Sequence, residues 1–152
     1  MSTEHTWLKS YTQHTAHTVD INEYPSVVSV LEKAIKDYAD RPAFSNFGKQ
    51  LTYAEIDQLS SQFANYLIHD LKLKKGDRVA VMMPNVLQYP IAVFGTLRAG
   101  LTVVNTNPLY TARELKHQLV DSGAAVLVII ENFAATAQEI IKETKVKQVI
   151  TT

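Results

Sequence analysis

The chain has 152 residues, which suits one domain or a piece of a larger one. Its 15 basic residues balance its 15 acidic residues, so the formal net charge of zero argues against a nucleic-acid-binding function, which usually needs a basic excess. The absence of cysteine excludes disulfides, thiolate metal sites and cysteine nucleophiles.

The first segment, residues 1–24, is predicted to be a polar N-terminal arm. It lacks the short apolar run of a secretory signal. Trp7, Leu8 and Tyr11 could anchor it onto an apolar surface, and the alternative is a solvated tail. Residues 25–152 are predicted to form one α/β subdomain.

A first helix is predicted after Ser26, whose hydroxyl can cap it by accepting a hydrogen bond from a free backbone N–H. Pro42 ends this helix near Asp40, because the residue before proline avoids the helical region. The predicted apolar face consists of Val27, Leu31, Ala34, Ile35 and Tyr38.

A hairpin is predicted next, with its turn within residues 46–49. Thr52 and Glu55 then form a capping box that opens a helix of roughly 18 residues. The cations of "KLKKGD" follow its C-terminus, where the helix dipole favours them. Its predicted apolar stripe is Ile56, Leu59, Phe63 and Leu67.

From Arg78 onward strands and helices are predicted to alternate. The strands are 78–83, 101–105, 124–130 and 147–151. The helices between them are predicted to be capped by Asn85, by a Thr111–Glu114 capping box with Gly123 at the far end, and by Asn132. This order predicts an α/β fold with a mostly parallel sheet, helices on both faces and a small hairpin near the N-terminus.

The stretch 82–100, "MMPNVLQYPIAVFGTLRAG", is nearly all apolar and raises the question of a membrane span. A span needs about 20 consecutive apolar residues in one helix. Pro84 and Gly100 interrupt the run, so we expect a buried core helix over 86–99. Pro90 is predicted to kink this helix, and Gly95 to permit close packing.

No residue is predicted to be catalytic, cofactor-binding or metal-binding. The sequence lacks a dinucleotide fingerprint, a P-loop and a nucleophile elbow. His14 and His17 lie three apart with no carboxylate or cysteine nearby, which favours chance over zinc. Glu114 and His117 have the spacing of di-iron helical bundles, but Glu114 fits the capping box. His117 and His69 are therefore expected on solvated faces.

The carboxyl ends of parallel strands are where ligands bind in doubly wound folds. At the end of the second strand, Asn105 and Asn107 of "NTNPLY" could bind a ligand. Asparagine and proline are also turn-forming residues, and the turn is the favoured interpretation. The last predicted strand runs to the end of the chain, and we expect a truncation because an uncovered edge strand is rare in a natural domain.

Three stretches resemble the N-terminal region of adenylate-forming acyl-CoA synthetases, and most closely that of bacterial long-chain fatty-acid–CoA ligases. They are "QLTYAEIDQLSSQFANYL", "LKKGDRVAVMMPNVLQYPIAVFGTLRAG" and "VVNTNPLYTARELKHQLVDSGA". The "WLKSY" arm and the "EYPSVVSVLEKAIKDYADRPAF" helix share the resemblance. Asn105 stands where much of the superfamily has proline, as it does in long-chain ligases, and Ala112 replaces a frequent proline.

The resemblance implies an enzyme that forms an acyl adenylate from a fatty acid and ATP with Mg²⁺, and then transfers the acyl group to CoA. The phosphate loop, the ribose-binding acid and the lid lysine would all lie later in such a chain. No catalytic residue is therefore carried over, and this segment alone is expected to be inactive and to bind none of these cofactors.

The resemblance also implies a cytoplasmic protein, peripheral to the inner membrane, that forms a homodimer or self-associates. An alternative function is a free-standing module that binds an acyl ligand or a partner protein. A receiver-like domain is disfavoured, because Asp77 precedes its strand and Glu131 stands alone at a strand end.

Overall fold

The computed structural model describes residues 5–152; the first four residues of the predicted arm lie outside it. The helices are Val27–Tyr38 (α1), Tyr53–Asn65 (α2), Gln88–Arg98 (α3), Ala112–Ser122 (α4) and Ala134–Ile140 (α5). The strands are Pro42–Asn46 (β1), Lys49–Thr52 (β2), Arg78–Met82 (β3), Thr102–Asn105 (β4), Val126–Ile129 (β5) and Gln148–Thr151 (β6). Short 3-10 turns cover Thr6–Ser10, Glu131–Phe133 and Ile141–Glu143, and a π turn, Tyr66–Asp70, extends α2.

Strands β3 to β6 form one parallel sheet in the order β4-β3-β5-β6. Val79 of β3 pairs with Val103 of β4 on one side and with Val126 of β5 on the other. Strands β1 and β2 form a separate antiparallel hairpin. The predicted fold class, a parallel α/β sheet with an N-terminal hairpin, is confirmed.

Both faces of the sheet are covered by helices. Ala80 and Met82 of β3 pack toward Leu115 and Leu119 of α4. The alternate β3 residues, Val79 and Val81, pack on the opposite side together with Leu67 and with Ala92 of α3. Because successive strand side chains point to opposite faces, the continuous apolar run predicted for β3 reflects burial on both sides.

Four of the predicted helix signals lie where they were expected. Ser26, Thr52 and Thr111 each accept a hydrogen bond from the backbone N–H three residues later. Gly123 follows α4 with a φ of 62°, the left-handed conformation that ends a helix at low cost for glycine. These signals were readable because each one involves neighbours within one helical turn.

The predicted caps Asn85 and Asn132 are wrong. Helix α3 begins at Gln88 and has no side-chain cap, since Asn85 lies too far ahead to reach its first amides. The backbone carbonyl of Asn85 instead accepts a hydrogen bond from the Asn46 side-chain amide at 2.9 Å. Asn132 lies inside the 3-10 turn that precedes α5.

The apolar stretch 82–100 forms β3's end, a loop and α3, as predicted. Of the α3 residues only Gln88 is exposed. Pro90 is the third residue of α3, where its missing N–H has no intrahelical partner to lose, so the predicted kink has no lost hydrogen bond behind it. Within residues 5–152 no helix is both long enough and apolar enough to cross a membrane.

The arm matches the solvated alternative, and the predicted apolar face of α1 is only partly buried. None of residues 5–24 is buried, and Trp7 is 56% exposed against the ring of His5 rather than anchored on the sheet. On α1, Leu31 is buried, whereas Val27 and Tyr38 of the predicted apolar face are exposed.

Candidate functional site

The carboxyl edge of the sheet contains a topological switch point between the two central strands. The chain leaves β3 toward α3 on one face and leaves β5 toward α5 on the other. The loops 83–87 and 130–133 therefore lead to opposite faces of the sheet, and such a switch point is where open α/β sheets bind ligands. The Ile130 N–H donates to the Met82 carbonyl at 3.2 Å and holds the two loops together at their base.

An apolar hollow of about 240 Å³, here called the edge recess, opens beside this switch point on the α3 face. Its apolar lining is Phe63, Met83, Ile91, Ala92, Val128 and Ile150. The other lining residues are Gln88, Thr151 and Thr152, so no lining side chain is ionisable. The edge recess can hold an apolar group, but its lining offers no acid, base or anionic nucleophile.

The loop after β4 is built from hydrogen bonds within the protein. The Asn107 side-chain oxygen accepts the Leu109 N–H at 3.0 Å, which is the turn that the sequence favoured. The Asn105 side-chain oxygen accepts the Tyr89 hydroxyl at 2.9 Å, and its carbonyl accepts the Gln118 amide at 2.9 Å. Both asparagines are thereby engaged in scaffold contacts.

A larger, open hollow of about 740 Å³ runs along α4 and includes Glu114 and His117. Glu114 accepts hydrogen bonds from the side chain and the backbone of Thr111, and these lower its pKa. His117 is exposed, and so is His69, as predicted. Within residues 5–152 no three His, Asp or Glu residues are placed to hold a metal ion, and His14 and His17 are exposed in the arm.

One polar contact of the core was not predicted. Arg98, the only charged residue of the stretch 82–100, donates to Asp57 at 2.6 Å and to the Ser61 hydroxyl at 2.5 Å. Its side chain is 14% exposed, so it lies between α3 and α2 and joins them. A lone arginine in an apolar helix was the available signal, but the partner lies 41 positions earlier in the sequence and no local pattern connects them.

These observations define a doubly wound α/β domain with an apolar recess at the carboxyl edge of its sheet. Residues 31–152 match the AMP-binding enzyme family. The chain belongs to this family.

Among its relatives, the long-chain-fatty-acid–CoA ligase of Yersinia pestis is 52% identical over 149 residues. This match covers 98% of the chain and 26% of the relative, so the chain spans about a quarter of that protein's length. The structure of a long-chain-fatty-acid–CoA ligase from Archaeoglobus fulgidus matches with a TM-score of 0.76 at 26% identity, over 85% of this chain and 28% of that one. An anthranilate CoA ligase in complex with anthranoyl-AMP shares the fold alone, with a TM-score of 0.80 at 21% identity, over 85% of this chain and 25% of that one.

Proposed function

We propose that this chain is the N-terminal part of an ATP-dependent long-chain fatty-acid–CoA ligase. The observation that carries the proposal is the 52% identity to a long-chain ligase across 98% of the chain, arm included. The proposed reaction forms an acyl adenylate and then a thioester with CoA. The proposed organisation is an arm over 1–24, in which no described residue is buried, followed by an α/β subdomain over 25–152 that precedes the phosphate loop.

We propose that ATP, Mg²⁺ and CoA bind outside this segment. The sequence has no glycine-rich phosphate loop, and the edge recess has no charged lining residue. All three would bind to parts of the longer protein, and no step of the reaction is assigned to this segment. What the segment supplies is a rigid two-faced sheet, whose carboxyl edge would form one wall of the larger enzyme.

A chimera tests this proposal. The corresponding 149 residues of the Yersinia pestis ligase are replaced by this chain, and acyl-CoA formation is measured with a long-chain fatty acid and with anthranilate. We expect the chimera to use the long-chain acid. A folded chimera that uses only the aromatic acid would refute long-chain specificity, and a folded chimera inactive on both would refute the ligase assignment.

The segment alone is proposed to be inactive. We expect no fatty-acid-dependent exchange of pyrophosphate into ATP by the purified chain, with the chimera as the positive control. Reproducible exchange by the segment would overturn this, because it would require catalytic groups that its own sequence does not contain.

The alternative, a free-standing module for an acyl ligand or a partner protein, is supported by the apolar edge recess. Binding of a long-chain carboxylate by the segment without ATP would favour the module, and its absence would favour the ligase part. We also propose a cytoplasmic location, peripheral contact with a membrane, and self-association or homodimerisation. The exposed Val27 and Tyr38 support association, since exposed apolar surface tends to be covered.

A further inference from the structure

The edge recess lies between packed elements, and its apolar lining is only partly covered. Three of its apolar side chains are buried: Met83, Ala92 and Val128. The other three are partly exposed: Phe63, Ile91 and Ile150. The partly exposed side chains come from α2, α3 and β6. Because protein interiors leave few voids larger than a water molecule, an apolar hollow between three such elements is expected to be filled in the complete protein.

The size and lining of the edge recess argue against a small-molecule site. Its volume of about 240 Å³ is below the roughly 300–1,000 Å³ of ligand pockets. A fatty acid would bring a carboxylate, and no lining side chain is a cation that could pair with it. Apolar side chains of a polypeptide segment need neither a cation nor a larger volume, so a segment of protein is the occupant that the recess fits.

The end of β6 brings the backbone to the rim of the edge recess. The Thr152 N–H donates to the Ile129 carbonyl at 3.1 Å, and the Thr152 carbonyl accepts the Glu131 N–H at 3.0 Å. Thr151 and Thr152 both line the recess. These bonds fix the point from which a longer chain would continue. One residue spans at most about 3.6 Å, so a short continuation reaches the recess, and its covalent tether gives it a millimolar effective concentration there.

We propose that the edge recess is the docking site of the segment that directly follows Thr152 in the longer ligase, which fills it with uncharged apolar side chains. The inference rests on the proposed function, because it requires the chain to continue past this residue. The chain spans 26% of the Yersinia pestis relative, so most of the proposed ligase lies outside it. The docked segment fixes the position of the following part of the enzyme relative to the carboxyl edge of the sheet.

The test places a reporter thiol in the edge recess. The chain has no cysteine, so Ile91→Cys introduces its only thiol. The variant is made in the chimera with the Yersinia pestis ligase, and its reaction with a neutral maleimide is followed by mass spectrometry of the peptide that contains position 91. We expect this thiol to react at least about tenfold more slowly in the folded chimera than after unfolding in urea. Equal rates would overturn the proposal.

A second chimera identifies the occupant. In it, the roughly 12 residues that follow position 152 are replaced by a glycine-serine linker of equal length, and the rest of the ligase is kept. The thiol at position 91 should then react at least about tenfold faster than in the first chimera. Unchanged protection would contradict the proposal, because another part of the enzyme would then cover the recess. Val126→Cys is the control: Val126 is 1% exposed and does not line the recess, so its thiol should stay protected in both chimeras.

If the linker unfolds the second chimera, the control thiol becomes reactive, and single serine replacements of the apolar residues in the same segment take the linker's place. At least one of them should expose the thiol at position 91 while the control thiol stays protected, and failure of all of them would sink the proposal. Protection that appears only with added long-chain fatty acid would assign the recess to the acyl chain. Protection that grows with chimera concentration would assign it to a second copy. Either result overturns the proposal.

The ligase assignment is tested separately by acyl-CoA formation in the first chimera, because protection of a thiol needs no catalysis. An active chimera with an exposed thiol at position 91 would refute the docking site alone. An inactive, folded chimera with a protected thiol would refute the ligase assignment and leave the docking site supported.

Discussion

Gly95 lies at a close contact between α3 and α2, and replacing it with alanine tests how rigid this contact is. A Cβ atom at position 95 would lie 2.8 Å from the Ser60 backbone oxygen and 2.8 Å from Cδ1 of Phe63. The Phe63 ring can rotate away, but its Cβ, at 3.0 Å, cannot. The Ser60 oxygen belongs to the backbone of α2 and moves only if the whole helix moves.

Two opposing effects determine how much Gly95→Ala changes the free energy of unfolding. Overpacking a close core contact costs about 1–3 kcal/mol, and the backbone clash places this site toward the upper end. Alanine is favoured over glycine inside a helix by about 1 kcal/mol. The expected net loss is about 1–2 kcal/mol in the free energy of unfolding, which for a chain of this size lowers the melting temperature by about 3–6 °C.

The assay is urea denaturation followed by far-ultraviolet circular dichroism. Fluorescence is unsuitable, because the only tryptophan, Trp7, lies exposed in the arm and does not report on the core. Gln88→Ala, at the exposed position of the same helix, should change stability by less than about 0.5 kcal/mol. A Gly95→Ala variant as stable as the native chain, or more stable, would refute the argument that the α2–α3 contact is rigid.

Two further predictions concern polar contacts. Arg98→Met should lower stability by about 1–2 kcal/mol in the same urea assay, because it removes the partly buried donor to Asp57. Asp57 is 46% exposed and can be rehydrated, which limits the loss. Exposed Arg113 is the control, and an equal loss in Arg113→Met would contradict the interpretation. For Glu114, hydrogen bonds from Thr111 lower the folded-state pKa, so its stabilising contribution is present above the ordinary glutamate value of 4.5 and is lost as the pH falls through the lower folded value. Glu114→Gln should therefore lose less stability on acidification than the native chain does, and identical pH profiles would rule out this linkage.

The residues that begin and end helices could be predicted from the sequence at their exact positions. The cap hydroxyl of Ser26 and the left-handed Gly123 act on amides or carbonyls within one helical turn, so sequence spacing alone locates them. Asn85 shows where that reasoning fails. Asparagine is common both at helix caps and in turns. Its role here depends on the length of the loop between β3 and α3, which the packing of α3 sets.

In the candidate site too, contacts between sequence neighbours were predictable and contacts between distant residues were not. The sequence predicted the turn at Asn107, which the structure confirms. It did not predict the edge recess, whose lining comes from α2, α3, β5 and β6, nor the link from Arg98 to Asp57. Each of these joins residues that are far apart in the chain.

The sequence by itself determined the alternation of strands and helices, the two-faced burial of β3 and the capping boxes, because these follow from hydrophobic periodicity and from contacts within a few residues. Only the tertiary structure decided the strand order β4-β3-β5-β6, the switch point it creates and the projection of Phe47 from the hairpin tip. Which strands are neighbours, and which side chains stay exposed, depends on which distant segments pack together. The hydrophobic effect has no direction, so the local sequence of an apolar segment does not specify the segment that packs against it.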